Sequence, residues 1–281
     1  MSALTQVSEH GCFGGVQRFY KHDSREIRGP MKFSVYLPPQ ARTGKVPALY
    51  FLSGLTCTEE NFPVKSHAQQ VAAELGLMLI SPDTSPREPR LPGDADNWDF
   101  GYSAGFYVDA TAAPWSQYYR MYSYVTRELP ELVAANLPVQ AGAPGIFGHS
   151  MGGHGALVCA LRNPDRYKSV SAFSPIAAPM QCPWGKKAFS NYLGPDTQAW
   201  REYDASELVA RRAFPGPILI DQGAADPFLT EQLMPEKFSA AAAKSGQSLN
   251  LRIQPGYDHG YYFIQTFVAE HLRHHAKQLK S

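Results

Sequence analysis

The segment GIFGHSMGGHG at 145–155 constrains the fold of this 281-residue chain more than any other stretch. An apolar, strand-like run leads into it, and the helix-like run ALVCALR follows it. Glycines two residues before and two after Ser150 remove Cβ atoms where a strand and a helix approach each other, and such a sharp turn exposes the serine Oγ. The pattern predicts a nucleophilic Ser150 on a strand–turn–helix unit, with the Met151 N–H at the helix start directed at a bound oxygen.

Short apolar runs alternate with longer helical patterns along the rest of the chain. Several of the apolar runs lack polar positions on either face, as in a mostly parallel sheet that helices cover on both sides. The first strands look hairpin-like and therefore antiparallel. Strands are predicted at 32–38, 48–54, 77–83, 144–150, 169–175, 217–223 and 249–255, and helices near 62–75, 117–136, 151–162, 230–245 and 261–278. Without a repeat or a linker-like run, we expect one α/β domain over residues 1–281.

Composition argues against several classes of partner. Lys and Arg number 26 against 25 Asp and Glu, and this balance gives no reason to expect nucleic acid or an anionic membrane as partner. The first residues lack a basic segment followed by an apolar one, and no apolar run approaches the ~18 residues of a membrane span. Four scattered cysteines without CxxC spacing favour free thiols over zinc. We therefore expect a soluble cytoplasmic protein.

The segment 84–116 interrupts the alternation of strands and helices. It has no sustained period, yet it is rich in large aromatic residues: Trp98, Phe100, Tyr102, Phe106, Tyr107 and Trp115. Loops beyond ~12–15 residues are uncommon in compact domains unless they are functional or disordered, and this one is too aromatic for disorder. We expect an ordered excursion over the carboxyl ends of the strands that forms part of a pocket wall. The alternative is that it only covers the sheet.

A serine nucleophile needs a base, and a third group must orient that base. In the Ser…Asp/Glu…His order of α/β hydrolases, each partner follows a late strand. His259 lies after the last predicted strand and before the last helix, so it is the predicted base. Asp226 lies in the loop after the preceding strand and is the predicted acid. Asp221, inside that apolar run, is the alternative acid.

The second oxyanion donor of such a site comes from the loop after an earlier strand. Here that loop begins after the predicted strand 48–54, and Gly54 allows its backbone to turn toward the site. The Leu55 N–H is therefore the predicted donor beside that of Met151.

Two further histidines raise the question of a metal. His271 and His275 share one face of the last helical pattern at i, i+4 spacing. We predict a solvated helix face there and no metal site. The serine chemistry predicted above requires neither a metal nor an organic cofactor.

Six motifs in order along nearly the whole chain resemble those of the S-formylglutathione hydrolase (esterase D) family: LSGLTCTEENF, WDFGxxAGFYVDAT, YRMYSYVTRELP, IFGHSMGGHGAL, CPWGKKAF and GYDHGYYF. The resemblance implies an α/β-hydrolase fold and a cytosolic enzyme that cleaves the small thioester S-formylglutathione to glutathione and formate. It implies the same roles for Ser150, Asp226, His259, Leu55 and Met151. Family members are commonly dimeric, which makes a homodimer the assembly to test.

The resemblance also bears on the surroundings of the site. Formyl is the smallest acyl group, so a tight acyl pocket is expected, with Trp98 and Trp184 as candidate walls. The family has a cysteine at the position of Cys57, which implies sensitivity to thiol reagents; a small packed side chain is the alternative. Ser103 stands where the family mostly has glycine. The alternative functions are a general small-acyl carboxylesterase or acyltransferase, and a non-catalytic binding protein on the same scaffold.

Overall fold

The computed structural model describes residues 4–280, and these form a nine-stranded mixed sheet. Its strands are β1 (Thr5–Cys12), β2 (Gly15–Ser24), β3 (Gly29–Leu37), β4 (Ala48–Leu52), β5 (Met78–Pro82), β6 (Gly145–His149), β7 (Ser169–Phe173), β8 (Ile218–Gly223) and β9 (Leu249–Gln254). The order across the sheet is β1-β2-β3-β5-β4-β6-β7-β8-β9. β1, β2, β3 and β5 pair antiparallel, and the pairs from β5 through β4 to β9 are parallel. The predicted α/β class with an antiparallel start is confirmed.

Helices cover both faces of this sheet. They are α1 (Asn61–Lys65), α2 (Ala68–Leu75), α3 (Met121–Ser123), α4 (Leu129–Asn136), α5 (Met151–Arg162), α6 (Pro183–Tyr192), α7 (Thr197–Trp200), α8 (Ala205–Arg211), α9 (Pro235–Ser245) and α10 (Tyr261–Leu279). A π-helical stretch joins α3 to α4, and a second one precedes α9. The single helix predicted at 62–75 is two helices, because the backbone turns left-handed at His67. Within residues 4–280, no helix has the length and apolar character needed to cross a membrane.

Two hydrophobic cores lie on opposite faces of the sheet because successive strand residues point to opposite sides. In β4, Leu49 and Phe51 belong to the core under α2 and α10, and Tyr50 and Leu52 belong to the larger core under α5. All five β4 residues are buried. Helices on both faces thus explain the unbroken apolar strands of the sequence.

The prediction of a solvated face for His271 and His275 on α10 is wrong. Both side chains are fully buried against the sheet. His271 Nδ1 and His275 Nε2 each lie 2.8 Å from Ser171 Oγ, and His275 Nδ1 lies 2.6 Å from Ser169 Oγ on the same strand, β7. Polar serines inside an apolar strand supply partners that let histidines enter the core.

The aromatic excursion packs onto the carboxyl ends of the strands. Tyr107 is fully buried, and its hydroxyl donates to the Ser53 carbonyl, just after β4, at 2.8 Å. The Phe106 N–H donates to Met151 Sδ at the start of α5, at 3.3 Å. These bonds tie the excursion to the two loops in which the sequence predicts a nucleophile and an oxyanion donor.

Candidate active site

The turn between β6 and α5 holds Ser150 in a strained conformation. Its φ is 57° and its ψ is −119°, a region that L-residues rarely occupy. A Cβ on Gly148 would lie 2.2 Å from the Gly152 carbonyl oxygen and 2.7 Å from that of Leu52, so only glycine fits there. Strain of this kind at a strand-to-helix turn is typical of a serine nucleophile.

His259 and Asp226 meet at the same end of the sheet. Asp226 follows β8, His259 follows β9, and His259 Nδ1 lies 2.5 Å from Asp226 Oδ2. The two loops are also joined by their backbones, since the Ala225 N–H donates to the Tyr257 carbonyl at 2.9 Å. The His149 ring, next to Ser150 in sequence, lies 4.5 Å from the His259 ring centroid to centroid. The structure thus brings the predicted base and acid together beside the nucleophile's turn.

The surroundings of Asp226 favour its ionised form. Burial would raise the pKa of its carboxyl, but hydrogen bonds from His259 and from the Phe228 N–H outweigh burial and lower that pKa below the ordinary value. A carboxylate opposite Nδ1 holds the imidazole proton on that nitrogen and leaves Nε2 free to accept a proton.

The alternative acid, Asp221, is engaged elsewhere. It is fully buried in β8, where Arg252 Nε donates to Oδ1 at 2.8 Å and Gln254 Nε2 donates to the same oxygen at 2.8 Å. Its Oδ2 lies 3.0 Å from His271 Nε2. Burial raises the pKa of Asp221, but His271 and Arg252 lower it to about 2 overall. Asp221 therefore joins β8, β9 and α10.

The loop 53–57 after β4, which we name the oxyanion loop, touches the nucleophile. An ideal Cβ on Gly54 would lie 3.1 Å from Ser150 Cβ. Leu55 follows in the chain and is half-buried against the larger core. Met151, on the other side, is fully buried as the first residue of α5, where backbone N–H groups have no acceptor within the helix. The roles of the Leu55 and Met151 N–H groups as oxyanion donors stay predictions.

A chain of aromatic rings leads from the histidine to the surface. The Phe228 ring packs edge-on against His259 at 5.1 Å, and the buried Trp184 packs on Phe228 at 4.8 Å. Trp98 packs edge-on against Trp184 at 5.5 Å and is 56% exposed. Trp98 and Trp184 are thus neighbours, with Trp184 nearer to His259 and Trp98 at the surface, and their role as walls of an acyl pocket stays a prediction.

Sequence reasoning missed two residues that contact His259, and a third that contacts one of these two. Phe228 contacts both His259 and Trp184. His149 is buried, and burial together with the nearby His259 lowers its pKa well below the ordinary value. The ring centroid of Tyr261 lies 6.3 Å from that of His149. Phe228 could have been found from its position, because it is the first large apolar residue after the predicted acid. The positions of the other two depend on tertiary packing.

Cys57, at the end of the oxyanion loop, is a half-buried free thiol. Burial raises the pKa of this thiol, and the nearby Lys65 ammonium offsets part of that rise. Its carbonyl accepts hydrogen bonds from Thr84 Oγ1 at 2.6 Å and from Arg87 Nη2 at 3.2 Å. The loop is therefore fastened through the backbone of Cys57.

Comparisons with known proteins show the family to which this chain belongs. The putative esterase family model matches residues 24–274. The chain is 58% identical to the S-formylglutathione hydrolase of Mus musculus over 99% of this chain and 100% of that protein, and 53% identical to that of Paracoccus denitrificans over 99% of both. A solved S-formylglutathione hydrolase from Agrobacterium tumefaciens superposes with a TM-score of 0.95 at 47% identity, covering 98% of this chain and 99% of that one. This chain belongs to the S-formylglutathione hydrolase family of esterases.

Proposed function

We propose that this protein is a serine hydrolase that cleaves S-formylglutathione to glutathione and formate through a formyl-Ser150 intermediate. The observation that carries the proposal is the 2.5 Å contact between His259 Nδ1 and Asp226 Oδ2 beside the strained turn of Ser150. Relatives that carry the name of this enzyme at 50–58% identity over the full chain support the thioester as substrate.

In the first half of the reaction, Ser150 Oγ attacks the formyl carbon and gives its proton to His259 Nε2. The carbonyl oxygen gains negative charge, which the N–H groups of Leu55 and Met151 would stabilise. The C–S bond then breaks, and the glutathione sulfur leaves with the proton from His259. A thiol has a pKa of ~8.5, so its thiolate is a better leaving group than an alkoxide and makes a modest demand on the acid.

In the second half, His259 removes a proton from a water molecule, and the resulting oxygen attacks the formyl ester. The same oxyanion donors serve again. The ester C–O bond breaks, Ser150 Oγ regains the proton from His259, and the product leaves as formic acid, which releases its remaining proton to solvent to become formate. Asp226 stays ionised throughout, because its role is to orient the imidazole and to stabilise the imidazolium.

The wider setting of the proposal is a single domain over residues 1–281 that acts in the reducing cytoplasm on a small thioester. Within residues 4–280, all four cysteines are free thiols, which supports a reducing compartment. The balanced charge supports a small-molecule substrate over nucleic acid or a membrane surface. A homodimer stays a prediction.

Thioester hydrolysis by purified wild type and Ser150→Ala tests the proposal. We expect wild type to hydrolyse S-formylglutathione and Ser150→Ala to lose the activity by roughly 10⁶-fold in kcat, with the same melting temperature. Labelling by a fluorophosphonate should be lost in the same variant. Hydrolysis at the wild-type rate by Ser150→Ala would contradict the assignment of the nucleophile.

A further inference from the structure

We infer that Arg87 is a positioning residue that holds the oxyanion loop in its working conformation. The inference rests on the proposed function, since it assigns a role to a side chain that supports the predicted Leu55 donor. Arg87 lies at the start of the aromatic excursion, and its guanidinium contacts both this excursion and the oxyanion loop.

The guanidinium of Arg87 makes three connections at once. Nε donates to Asp83 Oδ2 at 2.7 Å, and Nη2 also donates to the other oxygen of this carboxylate. Nη1 donates to Ser103 Oγ at 2.7 Å, and Nη2 donates to the Cys57 carbonyl at 3.2 Å. Thr84 Oγ1 donates to the same Cys57 carbonyl at 2.6 Å. Arg87 thus links the carboxylate after β5 to the end of the oxyanion loop and to Ser103.

Ser103 provides the second connection to the loop. The Thr56 N–H donates to the Ser103 carbonyl at 3.1 Å, and the Ser103 N–H donates to Ser85 Oγ at 2.8 Å. Thr56 and Ser103 have φ values of 66° and 61°, in the left-handed region that favours glycine. Residues in a strained backbone conformation persist only when surrounding contacts stabilise that conformation. The hydrogen bond from Arg87 to Ser103 is one of these contacts.

An arginine suits this place because its planar fork directs several N–H groups in fixed directions. A lysine ammonium keeps the charge, but it cannot bind Asp83 in a bidentate manner and reach Ser103 and Cys57 at the same time. The Asp83 side chain is only 3% exposed and that of Arg87 19% exposed. The Tyr102 ring also lies against the guanidinium, at 4.4 Å from Cζ to the centroid. The fork therefore has little freedom to move.

The position of the loop matters because oxyanion donors act only at short range. A donor must lie about 2.7–3.1 Å from the developing negative oxygen, and a misplacement of about 1 Å can cost ~10² in rate. Gly54, whose ideal Cβ lies 3.1 Å from Ser150 Cβ, joins the part of the loop fastened by Arg87 to the nucleophile. A loosened loop would weaken transition-state binding more than substrate binding, so the loss should fall on kcat rather than KM.

A matched pair of substitutions tests this role. Arg90 lies against the same Tyr102 ring at 4.7 Å and pairs with Asp94 four residues away, and among residues 4–280 its side-chain hydrogen bonds go to that aspartate. We expect Arg87→Lys to lower kcat by about 10- to 100-fold with little change in KM and no change in the shape of the pH–rate profile. Arg90→Lys should keep the wild-type kcat. Inactivation by a fluorophosphonate, which forms a tetrahedral adduct on Ser150, should slow in parallel with kcat.

Ser103→Ala is the second variant, used if thermal unfolding shows that Arg87→Lys does not fold. It removes the hydroxyl that Arg87 binds and keeps the Ser103 backbone bond to the loop, so a smaller fall in kcat is expected. Equal kcat in both arginine variants, or a change in KM alone, would overturn the role of Arg87. The rate of inactivation by the fluorophosphonate involves no acyl substrate, so it tests the role of Arg87 independently of which thioester or ester the enzyme cleaves. Failure of wild type to hydrolyse the thioester would therefore overturn the proposed function separately.

Discussion

The buried imidazole of His154 should make the fold lose stability on acidification. This side chain on α5 is fully buried between the Phe106 and Phe189 rings. Nε2 lies 3.0 Å from the Phe106 carbonyl oxygen and so carries the proton, whereas the buried Nδ1 has no hydrogen-bond partner among residues 4–280. A second proton on Nδ1 would place an unpaired charge in the core. Burial accordingly lowers the pKa of His154 to about 4, against the opposing effect of the Phe106 carbonyl.

The sign and size of the effect follow from proton linkage. Above pH ~6.5 the imidazole is neutral in both states, and the native state has its full stability. As the pH falls from ~6.5 toward about 4, the His154 imidazole binds a proton in the unfolded chain but stays neutral in the native state. The native state therefore loses stability across this pH range. At pH 5, which is ~1.5 units below the ordinary histidine pKa of ~6.5, the loss of unfolding free energy at ~1.36 kcal/mol per unit amounts to about 2 kcal/mol.

Substitution by glutamine isolates this contribution, because its amide can also donate to the Phe106 carbonyl without titrating. Between pH 7.5 and pH 5, the unfolding free energy of wild type should fall by about 2 kcal/mol more than that of His154→Gln. Urea denaturation followed by fluorescence at both pH values measures the difference. His10→Gln, at an exposed position on β1, is the control and should follow wild type. Parallel losses in wild type and His154→Gln would refute the reasoning.

Two conservative substitutions should distinguish the role of Asp226, in the loop after β8, from that of Asp221, within β8. Asp226→Asn removes the carboxylate that holds the His259 tautomer, so kcat for the thioester should fall by roughly 10³–10⁴ with little change in melting temperature. Asp221→Asn deprives Arg252 and His271 of a buried carboxylate, so the unfolding free energy should fall by about 3–5 kcal/mol, and the activity per folded molecule should be largely kept. Steady-state kinetics and denaturation of both variants check these outcomes, and a larger kcat loss in Asp221→Asn would reverse the assignment.

The features that local sequence determines were predictable. The sequence Gly-His-Ser-Met-Gly at the end of a strand predicts a sharp turn. In the structure, backbone oxygens occupy the positions that Cβ atoms at Gly148 and Gly152 would take. β8 begins with a short apolar run, β9 alternates apolar and polar residues, and turn residues follow both strands, so the loops carrying Asp226 and His259 could be located from spacing alone. The parallel sheet then brings these loops to one edge.

Features that depend on tertiary partners were not predictable. β1 is almost wholly exposed and polar, so no hydrophobic period marks it, and its pairing with β2 comes from the turn at Phe13 and Gly14. His271 and His275 look like solvent-facing residues because their partners, the β7 serines, lie about 100 residues away in sequence. Arg87 also looks like a surface charge in the sequence, because its contacts with Ser103 and Cys57, 16 and 30 residues away, depend on how the excursion folds back.

The central claim is tested most directly by kcat/KM of the wild-type enzyme for S-formylglutathione, S-acetylglutathione and p-nitrophenyl acetate in one buffer. The two thioesters differ by one methyl group, which a tight acyl pocket can discriminate by about 10- to 200-fold. The account predicts that S-formylglutathione has the highest kcat/KM of the three and that Ser150→Ala abolishes its turnover. Equal or faster turnover of the aryl ester would contradict the account and leave a general small-acyl carboxylesterase.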